Sequence, residues 1–260
     1  MGRFRLKIEY DGTRYTGWQL QKGGRTIQGE LLDACRDLFE IHEVELYGAG
    51  RTDGGVHALG QVAHLAVETG LEPLRIRYGL NDRLPHDISI ISVEEAHPKF
   101  HARYDARARS YIYQISRRRT AFGKKYVWWI KDDLDIEKMK EAASLYVGLK
   151  DFRSFTDDDQ EQSSTRTEVL HASVTEFGDI LIFHVIGTHF LWKQVRRMTG
   201  VLVEAGRGRL STGEISSFFR TKSDIPARLT APPSGLFLER VYYKDEEISH
   251  SARPVTDIRS

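Results

Sequence analysis

Cysteine occurs once in this chain of 260 residues, at Cys35. A single thiol excludes an intramolecular disulfide and a thiolate zinc cluster. It falls in the series Ile27, Leu31, Leu32, Cys35, Leu38, Phe39, the spacing of one helix face, so it reads as a core thiol rather than a nucleophile. No run of about 18 apolar residues occurs, which leaves no candidate for a membrane-spanning helix. The opening MGRFRLKIEY alternates like a strand instead of presenting an apolar signal segment, and Leu6 stands where a myristoylation motif wants Ser or Thr; the expected setting is the cytoplasm. Also missing are a GxxxxGKS/T phosphate loop, a GxGxxG opening a helix, and HExxH. EAGRGRL near residue 206 is a lone glycine-rich helix end, weak ground for phosphate binding. The ten histidines are scattered. His57 and His64 have neither cysteine nor paired carboxylates beside them, so no metal site is expected.

An excess of charge of one sign is absent too: 38 basic and 37 acidic residues leave a net +1. Distribution says more. From His101 to Lys131 stand Arg103, Arg107, Arg109, Arg117, Arg118, Arg119, Lys124, Lys125 and Lys131 against the single acid Asp105, and Lys193, Arg196, Arg197, Arg207 and Arg209 follow later against Glu204. The acids gather elsewhere, in runs at Asp132–Asp135, Asp157–Glu161 and Asp245–Glu247. Tyr104, Tyr111, Tyr113, Phe122, Tyr126, Trp128 and Trp129 interleave with the first basic stretch, a pattern suited to phosphate neutralisation combined with base stacking. The competing reading is a solvated charged surface beside ordinary strand aromatics.

The 40% apolar and 29% charged content is that of a globular protein with length enough for one large or two ordinary domains. Two halves share a grammar. The first runs from a strand at Phe4–Tyr10 through a helix at Thr26–Phe39, a strand-loop-strand unit over residues 44–68, and a helical stretch at Leu74–Leu80 to a strand at Ile88–Ala96. The second opens with a strand at Ser110–Ser116 and a helix at Asp135–Val147. It continues with strands at Arg166–Glu176 and Ile180–Ile186 turning at Gly178-Asp179, a helix at Leu191–Ala205 stopped by Gly206, a capping box at Ser211 and Glu214, and a last strand LFLERVYY. Hairpin-paired strands with interspersed helices predict an α+β fold of two mainly antiparallel domains. Residues 1–105 would form one domain and 106–260 the other, joined near His97–Arg109.

The densest signal is GAGRTDGGVHA at residues 48–58. Asp53 sits among four glycines and between Arg51 and His57, so the backbone there can turn tightly and bring a carboxylate close to a ligand. Asp-Gly between two strand-like runs is equally a hairpin turn, and local chemistry alone leaves both readings open.

Six blocks in order extend the signal: YDGTRYTGWQLQ with TIQGELLDA, the GAGRTDGGVHA loop, FHARYDARARSYIY, DFRSF, FLWKQVRRMTG and APPSGLFLERVYY. Together they resemble the tRNA pseudouridine synthases of the TruA family from the first strand to the last. The resemblance implies cleavage of the C1′–N1 bond of a uridine in tRNA, rotation of the base and rejoining of C1′ to C5, a redox-neutral rearrangement that needs no cofactor. Its implied substrate is the anticodon stem-loop, typically positions 38 to 40, held in an RNA-binding cleft between the two domains, and its implied assembly a homodimer, with no DNA or membrane partner. Asp53 aligns with the nucleophile, attacking ribose C1′ or base C6. Arg51 would help keep it ionised and fill the gap left by a flipped base. Tyr111 matches the tyrosine that stacks on the uracil and assists loss of the C5 proton, though strand preference alone would also explain it. Arg196 would contact and orient Asp53, and Leu236 would pack on the other face of the base. His57, Arg103 and Arg109 complete the expected substrate-binding set, while Asp11, Trp18 and Gln19 would support the groove.

Departures from the family pattern are Gly55 where Ala is frequent, expected to loosen the loop, Ser110 where Thr is frequent, and Trp192, Lys193 and Gln194 before Val195. Two other readings remain: a pseudouridine synthase for another tRNA position or RNA, and a tRNA-binding module without chemistry. An intact RTD loop favours catalysis, because binding alone gives no reason for an anion beside a polyanion.

Overall fold

The computed structural model describes residues 2–157 and 164–256. In chain order its main elements are β1 (Gly2–Tyr10), α1 (Ile27–Phe39), β2 (Glu45–Gly48), β3 (His57–Val67), α2 (Pro73–Asn81), β4 (Ile88–Glu95), β5 (Ala108–Ser116), β6 (Trp128–Trp129), α3 (Ile136–Ser144), β7 (Gly148–Asp151), β8 (Arg166–Phe177), β9 (Ile180–Gly187), α4 (Gln194–Gly206), α5 (Thr212–Ser217), α6 (Ile225–Arg228) and β10 (Leu236–Tyr242). They divide into two compact units, Met1–Arg107 with Phe237–Glu246 and Ala108–Leu236 with Glu247–Ser260. Within each unit the pairing is antiparallel except between β10 and β3 and between β6 and β5, in keeping with the expected α+β class.

In the first unit the strand order is β4-β1-β3-β10, with β2 also on β3. β3 is buried at every position but Leu59, its polar His57, Gln61 and His64 included, so HALGQVAHLAV does not alternate in the way of a strand with one solvated face. It pairs with β1 from Gly2↔Val67 to Tyr10↔Ala58, while β10 joins its start through Phe237↔His57. An added Cβ on Gly60 would lie 2.7 Å from the Glu239 carbonyl oxygen, so glycine permits that approach. α1 starts where Thr26 Oγ1 accepts the Gly29 N–H at 3.1 Å. Its buried face includes Ile27, Leu31, Leu32 and Cys35, and burial pushes the Cys35 thiol up to about 12, the behaviour of a core residue.

The second unit orders its strands β5-β9-β8-β7, with β6 on β5. All eight residues of β9 are buried, and the β8–β9 hairpin turns at Gly178 with φ +56°. Asp135 caps α3 by accepting the Lys138 N–H at 3.1 Å, and Ser211 and Glu214 close the expected capping box on α5. α4 departs from expectation at both ends. Lys193 adopts φ 60°, outside the right-handed region, so the helix begins at Gln194 rather than Leu191. Gly206 is its last helical residue, not its stop: a Cβ there would meet Met139 Cγ at 2.8 Å, so the glycine allows α3 to pack, and the left-handed residue is Gly208 at φ +72°.

The expected basic surface is partly neutralised by acids, some from the acidic runs and some from the β8–β9 hairpin and α4. Arg117 pairs with Glu176 and Arg118 with Asp179 across the β8–β9 hairpin. Arg197 and Lys193 both reach Asp157, Arg207 meets Asp132 and Glu204, and Glu246 takes Arg5 and Arg240. These cations are taken up in ion pairs, most of them between residues distant in sequence that meet in the fold. Residues 158–161 of the second acidic run lie outside the described residues.

Candidate active site

The loop carrying Asp53 is built by backbone contacts to residues 10–18. Ala49 N–H donates to the Val62 carbonyl at 2.7 Å, and Trp18 N–H to the Thr52 carbonyl at 3.0 Å. Gly17 forms a bridge with Asp53, Gly55 N–H reaches the Tyr15 carbonyl at 3.2 Å, and Val56 N–H closes on the Asp53 carbonyl at 3.2 Å. Side chains add to this. The Tyr10 hydroxyl lies 2.8 Å from Thr52 Oγ1, and the Gln61 amide donates to the Gly50 carbonyl at 2.9 Å. Glycines make the approach possible: a Cβ on Gly12 would sit 1.9 Å from the Val56 carbonyl oxygen, and one on Gly48 would strike the Trp18 ring at 2.6 Å.

Asp53 is half-buried within this frame and Arg51 is exposed, its Nε donating to Gln19 Oε1 at 3.1 Å. His57 is buried at the start of β3, stacked on Phe237 at 4.7 Å between ring centroids. Its Nδ1 accepts the Gly12 N–H at 3.1 Å and lies 3.1 Å from Asp11 Oδ1, contacts that tie it to the segment holding the loop. Trp18 is fully buried against Tyr10 and Gly48. The Tyr15 phenol, bonded to Asp87 at 2.5 Å, is held up by burial and that carboxylate. Arg103 stands exposed in the turn before β5.

The loosening expected at Gly55 is corrected by the backbone. Gly55 has φ +78°, a conformation that strains any residue with a Cβ, so glycine fits the loop rather than slackening it. Its neighbour Gly54 lies outside the positive-φ region, and a Cβ there meets nothing closer than 3.3 Å. Alanine is accommodated at 54, not at 55.

The second unit brings Arg109, Tyr111, Arg196 and Leu236 into its own framework. Tyr111 on β5 is 8% exposed, its ring edge-on to Phe190 at 5.3 Å. Arg109 donates to the Thr188 carbonyl at 2.8 Å, and its charge, with burial as the larger cause, lowers the His189 pKa. Arg196 is clamped on α4: its Nε donates to the Ala231 carbonyl at 2.8 Å and its own carbonyl accepts the Ala231 N–H at 3.1 Å. Tyr113, raised well above its ordinary value by burial, feels the opposing pull of Arg196 and donates to the Pro232 carbonyl at 2.7 Å. Leu236 is buried at the first position of β10. Adjacent Arg197 is buried with Asp157, which separates the two arginines of VRR by task. Phe190 and His189 carry no signal of their own in the sequence, and Gln194 stands out there only as a departure from the family pattern. Gln194, the first residue of α4, holds that start by accepting the Leu191 N–H at 2.8 Å.

The family model described as tRNA pseudouridine synthase matches residues 7–105 and 142–244. Proteins called tRNA pseudouridine synthase A are similar over nearly the whole chain: one from Anaplasma marginale is 42% identical, covering 93% of this chain and 100% of the relative. That of Afipia carboxidovorans is 41% identical over 94% of this chain and 100% of its own, and that of an Exiguobacterium strain 37% over 94% and 99%. The chain belongs to the tRNA pseudouridine synthase family and is an isomerase acting on tRNA. Among the described residues, no helix is long and apolar enough to cross a membrane.

Proposed function

We propose that the chain converts uridine to pseudouridine in the anticodon stem-loop of tRNA, at positions 38 to 40, with Asp53 as the nucleophile, and that it works as a homodimer. The observation that carries this reading is the half-buried Asp53 carboxylate on a loop fixed by backbone hydrogen bonds to Tyr15 and Trp18. Such fixation pre-positions an attacking group. Asp53 displaces N1 from ribose C1′, or adds to base C6 with the C5=C6 π pair moving toward C5 and O4 before C1′–N1 breaks; the base turns, C5 bonds to C1′, the aspartate leaves, the C5 proton is lost to a base and N1 takes up a proton. Atoms and electrons balance within the nucleotide, with no oxidant. Tyr111 stacks on the uracil and assists the final proton loss, Arg196 stabilises the carboxylate, and Leu236 packs against the base. Arg51, Arg103 and Arg109 neutralise phosphate, and His57 supports the loop from within.

The test is to incubate purified protein with unmodified tRNA transcripts and map pseudouridine by carbodiimide-dependent primer-extension stops. Stops confined to positions 38–40 support the reading; stops elsewhere move the target, and none at all removes it.

A further inference from the structure

A ladder of aromatic rings runs outward from the first unit. Tyr243 lies under the Arg5 guanidinium at 4.4 Å and packs on Phe100 at 5.3 Å. Phe100 meets His64 edge-on at 6.5 Å, His64 meets His101 at 4.6 Å, and Tyr47 flanks both at 5.5 and 6.1 Å. The outermost ring is Tyr104, 4.2 Å from His101 with 35° between planes and 78% exposed.

A lone exposed aromatic needs no explanation, but this one is held. The His101 Nδ1 accepts backbone N–H groups from Arg103 and Tyr104, at 3.2 and 3.4 Å. Asp105 N–H donates to the His101 carbonyl, and the Asp105 carboxylate accepts the His101 N–H at 2.8 Å. Ala102 N–H donates to His64 Nδ1 at 3.1 Å, which fastens the turn to β3. Tyr47 and His64 are direct cross-strand partners, so the ladder rests on the hairpin whose connection holds Asp53. Of the acids at the ladder, Asp105 is occupied in the turn and Glu45 meets Arg3 and His64, while Lys99, Arg103 and Arg107 are exposed around Tyr104.

We propose that Tyr104, backed by His101 and Tyr47, is a stacking platform for an unpaired base of the tRNA substrate other than the target uridine, its flanking phosphates neutralised by the neighbouring cations. A rigid ring with one face covered and the other open, set among positive charges, has the chemistry of single-strand recognition. Charge and the shared hairpin favour RNA over a second protein surface. The proposal rests on tRNA being the substrate and not on the role of Asp53.

The experiment measures full-length tRNA affinity by gel shift, together with steady-state kinetics, for Tyr104→Ala, Tyr104→Leu and Tyr104→Phe. Loss of stacking predicts about ten-fold weaker binding in Ala, the same in Leu, which keeps apolar bulk without a π-face, and near-normal binding in Phe, with the kinetic loss falling in KM. Sedimentation velocity on each variant accompanies these measurements. Unchanged affinity in Ala, or rescue by Leu equal to that by Phe, overturns the platform. A change of oligomeric state that accounts for the weakened binding assigns the ring to an interface between copies and overturns it too. Because Asp53 variants are read in turnover with binding intact, either reading can fail alone.

Discussion

The surroundings of Asp53 and of Tyr111 are built by different means. In the first unit the loop position is set mainly by main-chain hydrogen bonds and by glycines that let two backbone segments close to within contact distance. Around Tyr111 the side chain is set by packing, an edge-on phenylalanine, and Arg196 is set by a carbonyl clamp. A backbone-built site should fail sharply when a Cβ is inserted and keep its shape, though not its chemistry, when the displayed side chain is changed; a packing-built site should degrade in proportion to what is trimmed.

The largest effect tests the displayed group. Asp53→Asn should reduce turnover by roughly 10⁴-fold or more, as removal of a nucleophile does, while tRNA affinity stays within about three-fold, since losing a negative charge does not weaken attraction to phosphate. Single-turnover assays and gel shifts read the two separately. Equal loss of both would make Asp53 a structural turn residue.

Next in size is the packed side. Tyr111→Phe keeps the ring against Phe190 but deletes the hydroxyl, so release of tritium from uridine C5 should slow by about 10²-fold or more with binding nearly normal. Tyr111→Ala should lose affinity too. Wild-type tritium release from the Phe variant would leave Tyr111 as a stacking surface only.

The backbone itself comes third. Gly12→Ala places a Cβ 1.9 Å from the Val56 carbonyl, and the resulting shift of the loop should cost tens-fold in kcat and about 1–3 kcal/mol in stability. Gly55→Ala, at φ +78°, should cost about 1 kcal/mol, while Gly54→Ala should be close to neutral in both. Thermal melts with parallel assays separate the three, and equal tolerance at 54 and 55 would break the comparison.

How much of this was legible in sequence follows from the range of the forces involved. Thr26, Asp135 and Ser211 declared the starts of α1, α3 and α5, because a cap is made within three residues. The glycine pattern around Asp53 announced a close turn, yet it was silent on which of Gly54 and Gly55 needs positive φ. The return of β10 to pair in parallel with His57 and Ala58 left no local trace, nor did the ion pairs that neutralise Arg117, Arg118 and Arg197. Each joins residues far apart in the chain. The delayed start of α4 depends on the conformation of Lys193, and an apolar period running through it gave no warning.

The smallest effect compares the two units through an imidazole in each, His64 buried and His171 half-buried. His64 in the first unit is lowered by burial, with His101 and Arg3 adding, but Glu45 opposes the shift. His171 in the second is lowered to about 4 by burial and by the imidazoles of His184 and His250, with no carboxylate to offset them; its ring stacks on His250 at 4.6 Å and its Nε2 lies 2.9 Å from Ser173 Oγ. A histidine whose folded pKa lies below its unfolded value near 6.5 is protonated first in the unfolded chain, so the stability present above pH 6.5 falls as pH drops toward 4 and levels off below it. Asp157, held low by Lys193 and Arg197, has the opposite charge logic: its contribution persists until the pH reaches the ordinary carboxylate range. Between pH 6.5 and 4.5 the histidines therefore dominate, and melting should shift down by a few degrees, roughly 2–4 °C per kcal/mol for a chain of this size. Hydrogen exchange over that window should show β8 and β9 losing protection before β2 and β3. His171→Asn should flatten the pH slope more than His64→Asn, and an equal slope in both variants would mean that acid lability does not distinguish the two units.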